Sequence, residues 1–269
     1  MVARVKNGIF AVVLCLSIMC LGGSAFAGIP ESDTTFLGYC KKIAKGLDLQ
    51  ASGSLDFYSK YVWRGFTLDK DPVLQPSFSL SAKGFTFTFW SSSDVDNNDG
   101  INSGEIDLVF DYTKTFGILS VSVGHTYYDF PGTNGYSKEF YIGAGLCEIP
   151  GLGWPITLGL KYYRDYGDQN HGGGLGNYLE ASLGYSMTLL KDPEIGMDLG
   201  VTNGYNHNLF MAGDGGQTTL SVGFSIPLTE NLTLKPKLNY TIPYGDLADD
   251  AIGNQDKVFW GGFSMSYSF

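Results

Sequence analysis

Phe259-Trp260-Gly261-Gly262-Phe263-Ser264-Met265-Ser266-Tyr267-Ser268-Phe269 puts Phe259, Phe263, Met265, Tyr267 and Phe269 on one parity, with Ser264 and Ser266 on the other. Side chains of a strand alternate between two faces, so this stretch is a strand with one apolar and one small, polar face. The same period of two recurs upstream. Leu55, Phe57, Tyr61 and Trp63 alternate with Asp56, Tyr58, Lys60 and Arg64. Ile106, Leu108, Phe110 and Tyr112 alternate with Glu105, Asp107, Val109 and Asp111. Phe85 to Trp90, Tyr178 to Tyr185 and Leu232 to Tyr240 repeat the pattern. Each apolar face runs for about ten positions, the length of a tilted strand that crosses a bilayer.

Twelve such segments are predicted, near 51–65, 73–82, 85–92, 103–114, 118–129, 137–147, 154–164, 177–189, 194–203, 217–227, 232–242 and 257–269. Short links follow Ala82, Lys114, Leu190 and Leu228, while 93–102, 165–176, 204–216 and 243–256 are long and rich in Gly, Asn and Asp. Only Glu148 to Gly153 breaks this alternation. Short periplasmic turns and long outer loops are the pattern of outer-membrane barrels. The final Phe, with aromatics at period two before it, resembles their assembly signal and implies the barrel-assembly machinery as a partner. The predicted fold is therefore all-β, a twelve-stranded antiparallel transmembrane β-barrel over residues 50–269. A soluble sandwich or ligand-binding barrel also alternates; the even strand count, loop asymmetry and terminal Phe weigh against it.

Composition agrees. Charged residues are 16% and aromatics 14%, with 37 glycines in 269 residues, an odd balance for a cytosolic enzyme. Seventeen Lys and Arg against 27 acids exclude a nucleic-acid binder, which needs a basic footprint. No run after residue 27 approaches 18 apolar residues, so a membrane crossing requires a closed barrel.

Residues 1–27 read as a signal peptide for Sec export to a Gram-negative outer membrane. Arg4 and Lys6 form the basic start, Ile9 to Leu21 the apolar core, and Ala25-Phe26-Ala27 the cleavage site. An uncleaved anchor would need a longer core, and Cys20 lacks the small residue expected before a lipidated cysteine. Cleavage leaves 15 bases and 27 acids, a net of −12. Residues 28–49 carry Phe36, Leu37, Cys40, Ile43 and Ala44 at helical spacing and read as a periplasmic segment or a plug. Cys40 and Cys147 are the mature cysteines, both expected on the periplasmic side, where a disulfide between them is predicted.

Tyr58-Ser59-Lys60-Tyr61-Val62-Trp63-Arg64-Gly65, then Gly104-Glu105-Ile106-Asp107, Tyr127-Tyr128-Asp129-Phe130-Pro131-Gly132, Glu139-Phe140-Tyr141-Ile142-Gly143 and Tyr178-Leu179-Glu180 follow in that order. Together they resemble the uncharacterised proteobacterial family Gcw_chp, over roughly residues 50–200. The resemblance implies an outer-membrane or secreted β protein and carries no activity or functional residue with it.

Parity points Asp56, Glu105, Asp107, Asp111, Glu139, Glu180 and Asp198 inward, with Lys60, Arg64, Lys161, Lys235 and Lys237. Two readings fit these charges: a lumenal salt-bridge network, or an eyelet that contacts solute. Gly143, Gly145, Gly159, Gly184, Gly200 and Gly223 share the inward parity and leave room for a narrow channel or a plug.

Asp94, Asp96, Asn98 and Glu105 occupy the first, third, fifth and twelfth places of a calcium-type loop, but Asp99 stands where that loop needs Gly. A loop-bound calcium is one reading and a solvated acidic loop the other; no other cofactor or metal is expected. His125 falls on the lipid parity near the outer rim. An outer-membrane phospholipase is similar so far, but its motif needs Ser two residues on, where Tyr127 stands.

The expected function is a narrow porin-like channel for small polar solutes or cations. The alternatives are a non-conducting structural or interaction barrel and an outer-membrane lipid hydrolase. The expected partners are outer-membrane lipid and lipopolysaccharide. The outer links hold Asp69, Asp71, Asp94, Asp96, Asp99, Asp129, Asp165, Asp168, Asp214, Asp246, Asp249, Asp250 and Asp256 against Lys70 alone. That is the whole net charge of the mature chain, so cation preference is expected.

Overall fold

The computed structural model describes residue 46 and residues 48–95, 104–131, 133–147 and 155–269. The predicted signal peptide (residues 1–27), Cys40 and nearly all of 28–49 lie outside these residues. The strands are β1 (Gln50–Tyr58), β2 (Tyr61–Trp63), β3 (Phe66–Asp69), β4 (Val73–Ala82), β5 (Phe85–Asp94), β6 (Glu105–Phe116) and β7 (Leu119–Phe130). β8 (Gly135–Cys147), β9 (Ile156–Asp165), β10 (Asn177–Lys191), β11 (Glu194–His207), β12 (Asp214–Pro227), β13 (Leu232–Gly245) and β14 (Val258–Ser268) follow. All but β2 and β3 form one closed antiparallel barrel of twelve strands. β1 closes the ring by pairing with β14, Phe57 opposite Phe263, and with β4, Phe57 opposite Leu74.

The predicted twelve wall strands are present, but the first is shorter than 51–65. β1 stops at Tyr58, and β2 and β3 form a separate two-stranded sheet. Arg64 and Gly65 join them with φ of 48° and 86°. Positive φ at both central residues is the type I′ turn, whose twist suits a two-residue hairpin. The alternation of residues runs unbroken from wall to hairpin, because hairpin arms alternate too. Period alone therefore passes over the bend at Ser59 and Lys60. Two outer links are also shorter than predicted. β11 and β12 stay paired out to His207 and Asp214, leaving only 208–213 between them. β13 runs to Gly245, leaving 246–257 before β14.

The barrel wears its apolar side chains outside, with Phe85 64% and Phe110 56% exposed. Phe85 meets Tyr112 near the short turns, with Tyr267 and Phe269 in contact at the same end. At the opposite end, outward Tyr127 stacks on Tyr136, and Phe140 on Tyr166. Two aromatic girdles around an apolar band mark outer-membrane barrels. Inside, hydroxyls pair across neighbouring strands: Ser54 with Ser77 at 2.9 Å, Ser79 with Thr88 at 2.8 Å and Thr219 with Thr241 at 3.0 Å. Such cross-strand pairs satisfy polar groups that a lumen would otherwise leave bare.

The apolar core sits at the long-loop end. Tyr61, Val73, Tyr128, Tyr178, Leu209 and Leu247 are buried there. Loop 166–176 is tied down by the Asp165 carboxylate, which accepts from Ser137 Oγ and the backbone N–H groups of Gly167, Gly174 and Leu175. The 208–213 link is held by Asn206, whose amide oxygen accepts from Leu209 N–H and whose amide nitrogen donates to Leu209 C=O. These fastenings build a lid around the hairpin, and the hairpin defines the site.

Candidate functional site: a lumen capped by a hairpin

The hairpin reaches across the lumen. At its base the Tyr61 hydroxyl donates to Glu105 Oε2 at 2.9 Å, and Gln255 Oε1 accepts from Thr67 N–H at 2.8 Å. Trp63 packs edge-on against Tyr128 and Phe210, centroids 6.1 and 5.7 Å away. At its tip, Arg64 donates twice to Glu139 on β8, at 2.6 and 2.9 Å. Tyr128 donates to the same carboxylate at 3.2 Å. The guanidinium carbon lies 4.5, 4.2 and 4.4 Å from the ring centroids of Trp63, Tyr163 and Tyr178. A planar cation held by a fork and three ring faces is a strong fixing point.

Burial alone works against the Arg64 charge, but the Glu139 carboxylate and its hydrogen bonds more than offset that, and the Arg64 pKa rises. Burial first, and then the charge of Glu105, push the Tyr61 hydroxyl well above its usual range.

Gly65 is required at the tip. A Cβ there would lie 2.7 Å from Leu247 Cδ2 and 2.9 Å from Gln217 Cβ. Gly124 serves the wall in a related way: a Cβ on it would meet the Tyr141 ring at 2.2 Å. Tyr141 crosses that gap to donate to Asp111 Oδ2 at 2.6 Å.

Two cavities lie in series below the hairpin. The one nearer the loops has about 470 Å³ and is lined by Arg64, Asp107, Glu139, Lys161, Glu180 and Lys237 among others. The one nearer the short turns has about 340 Å³ and holds Asp56, Asp198, Lys235 and Lys237. Ser221 and Lys237 line both, so the two meet there.

The structure divides the twelve candidate charges. Eleven of them line these cavities or, as Asp111 and Glu105 do, accept from lumenal tyrosines; among these, Arg64 reaches its place from the hairpin rather than from the wall. The correction is Lys60, which sits in the bend after β1 and donates to Lys70 C=O at 2.7 Å, away from both cavities. Among the described residues, the one ion pair between Lys or Arg and a carboxylate is Arg64–Glu139. The charges therefore do not form one continuous lumenal network.

Of the calcium-type loop, Asp96 and Asn98 lie outside the described residues. Glu105, its twelfth place, is 4% exposed and turned into the barrel toward Tyr61. Cys147 ends β8 opposite Thr157 at the short-turn end, while Cys40 lies outside the described residues. His125 is on the outer surface, Nε2 2.6 Å from the Tyr166 hydroxyl and edge-on to Phe140.

Residue reading overlooked Tyr128, Tyr163, Tyr178, Gln217, Asn239 and Trp260. Their signal was available: each has inward parity, and large rings are conspicuous on a face otherwise made of Gly, Ser and Thr.

The chain matches no curated protein in sequence. Among solved structures it resembles the KdgM porin, at 16% identity and a TM-score of 0.51 over 81% of this chain and 99% of that one. The NanC porin matches at 12% identity and a TM-score of 0.46, over 82% and 98% of the two chains. An outer membrane channel from Pseudomonas putida F1 gives 12% and 0.43, over 82% and 95%. The KdgM likeness shows a shared fold, that of an outer-membrane porin barrel. The family model described as a bacterial protein of unknown function, Gcw_chp, matches residues 46–240, forty residues further than the roughly 50–200 span read from the motifs. The chain belongs to the Gcw_chp family of bacterial proteins.

Proposed function

We propose that this protein is a channel of the bacterial outer membrane that passes small polar solutes, cations among them, and that the β2–β3 hairpin narrows its outer mouth. The observation that carries the reading is the pair of polar cavities in series inside a closed barrel. Small lining residues keep the lower lumen open, and twelve strands fall between filled eight-stranded barrels and open sixteen-stranded porins. The apolar band and girdles fit lipid, the acidic loops fit divalent ions bridging to lipopolysaccharide phosphates, and the β14 aromatics fit handling by the barrel-assembly machinery after Sec export.

Conductance of refolded protein in planar bilayers tests the channel. Discrete steps are expected, smaller than those of an unobstructed barrel. A silent membrane with correctly folded protein would favour the second reading, a closed structural barrel, which the lumen-crossing hairpin also supports.

A further inference from the structure

The larger cavity has two unlike walls. Lys161 and Glu180 stand on β9 and β10, and the charges that line the cavity balance, with Arg64, Lys161 and Lys237 against Asp107, Glu139 and Glu180. Facing them, β12 to β14 present Lys237 on β13 among otherwise uncharged groups. Gln217 and Asn239 are 3% and 2% exposed, yet Gln217 Oε1 and Asn239 Nδ2 have no hydrogen-bond partner, and neither does Asp107 Oδ1, another side chain that lines the cavity. The other half of the Gln217 amide is occupied, donating to the Tyr178 hydroxyl at 2.6 Å. Asn239 is directly opposite Trp260 in the ladder. Trp260 spends its indole N–H on Thr241 Oγ1 at 3.1 Å, so it meets the cavity with its ring.

A buried amide without a partner is costly, so an unpartnered donor and an unpartnered acceptor on two side chains that line one polar cavity point to a ligand that supplies both. A hydroxyl does so. Balanced charge gives no Coulomb preference for an ion of either sign. An aromatic face beside the amides suits the C–H face of a sugar ring. The volume, about 470 Å³, falls within the roughly 300–1,000 Å³ of small-molecule sites. We infer that this chamber is a binding station for a neutral polyhydroxylated solute of mono- or disaccharide size. Gln217 and Asn239 take its hydroxyls, and Trp260 takes one face of its ring. The station has its physiological sense only within the channel reading, on which the inference rests.

The test uses refolded protein, with maltose and glucose as probes and glucuronate and lysine as charged comparisons. Tryptophan emission is titrated in detergent, and single-channel current is recorded in bilayers. Maltose or glucose should change the emission saturably and interrupt the current. Asn239→Ala should weaken that response about three- to tenfold, the usual worth of one hydrogen bond. Asn239→Asp keeps the volume, guards against a folding artefact, and should shift preference toward lysine. No saturable response to either neutral sugar, or tighter binding of glucuronate or lysine by the unmodified protein, overturns the station. A conducting barrel without a sugar response keeps the channel and loses the station. A silent barrel that still binds maltose does the reverse.

Discussion

Arg64 and Glu139, 75 positions apart, form a two-point buried ion pair that ties the hairpin tip to the far wall. Removing one partner of such a pair strands the other charge and costs about 3–5 kcal/mol. Glu139→Gln or Arg64→Ala should therefore release the hairpin, raise single-channel conductance several-fold and lower the unfolding temperature. The double change Arg64→Met with Glu139→Leu should be less destabilised than either single change, because no charge is left buried. Conductance and unfolding temperature both unchanged in the single variants would refute the latch.

Gly65→Ala places a Cβ against Leu247 and Gln217 at a φ of +86°. Backbone strain alone costs about 1–2 kcal/mol in the left-handed region, and the clash adds to it. Larger current steps and reduced stability are expected. Gly117→Ala is the control, since its φ is +62° with nothing within 4 Å of the new Cβ. It should carry the strain without any change in current.

Topology follows from the loop asymmetry. A cysteine at Asp249, exposed in the link after β13, should react with an impermeant reagent on intact cells. One at Lys191, opposite Glu194 at the short-turn end, should not. The reverse labelling pattern inverts the barrel.

Cation preference should come from the acids that remain exposed. Asp69 and Asp165 are 3% and 1% exposed, and Asp246 accepts from Asp214 N–H at 2.6 Å, so these three are structural. Asp249, Asp250 and Asp256 are exposed. Their joint replacement by Asn should reduce potassium preference in a potassium chloride gradient. The difference should shrink as salt rises, because screening acts within about 10 Å at 0.1 M. Anion selectivity in the unmodified protein would mean that Lys161, Lys235 and Lys237 control permeation instead.

A disulfide between Cys40 and Cys147 remains an expectation from their shared compartment. Protein unfolded without reductant should resist alkylation at both thiols. Free modification of both would exclude the bridge.

The wall was legible residue by residue because the two faces of a strand are a local property. Leu55 against Asp56, or Phe110 against Asp111, already says which side meets lipid. The inward position of Lys161, Glu180 or Lys237 follows from the same parity. The hairpin was not legible. Tyr61 and Trp63 keep the parity of the wall, so the bend at Ser59 and Lys60 that separates the hairpin from β1 leaves no mark in the period. The site depends on contacts that no local pattern encodes: Arg64 with Glu139, Thr67 with Gln255, Gly65 beside Leu247. The residues alone determine strand, face and charge, since each depends on immediate neighbours. Closure of the ring decides which distant side chains meet at one depth, and so converts a run read as wall into a cap across the lumen.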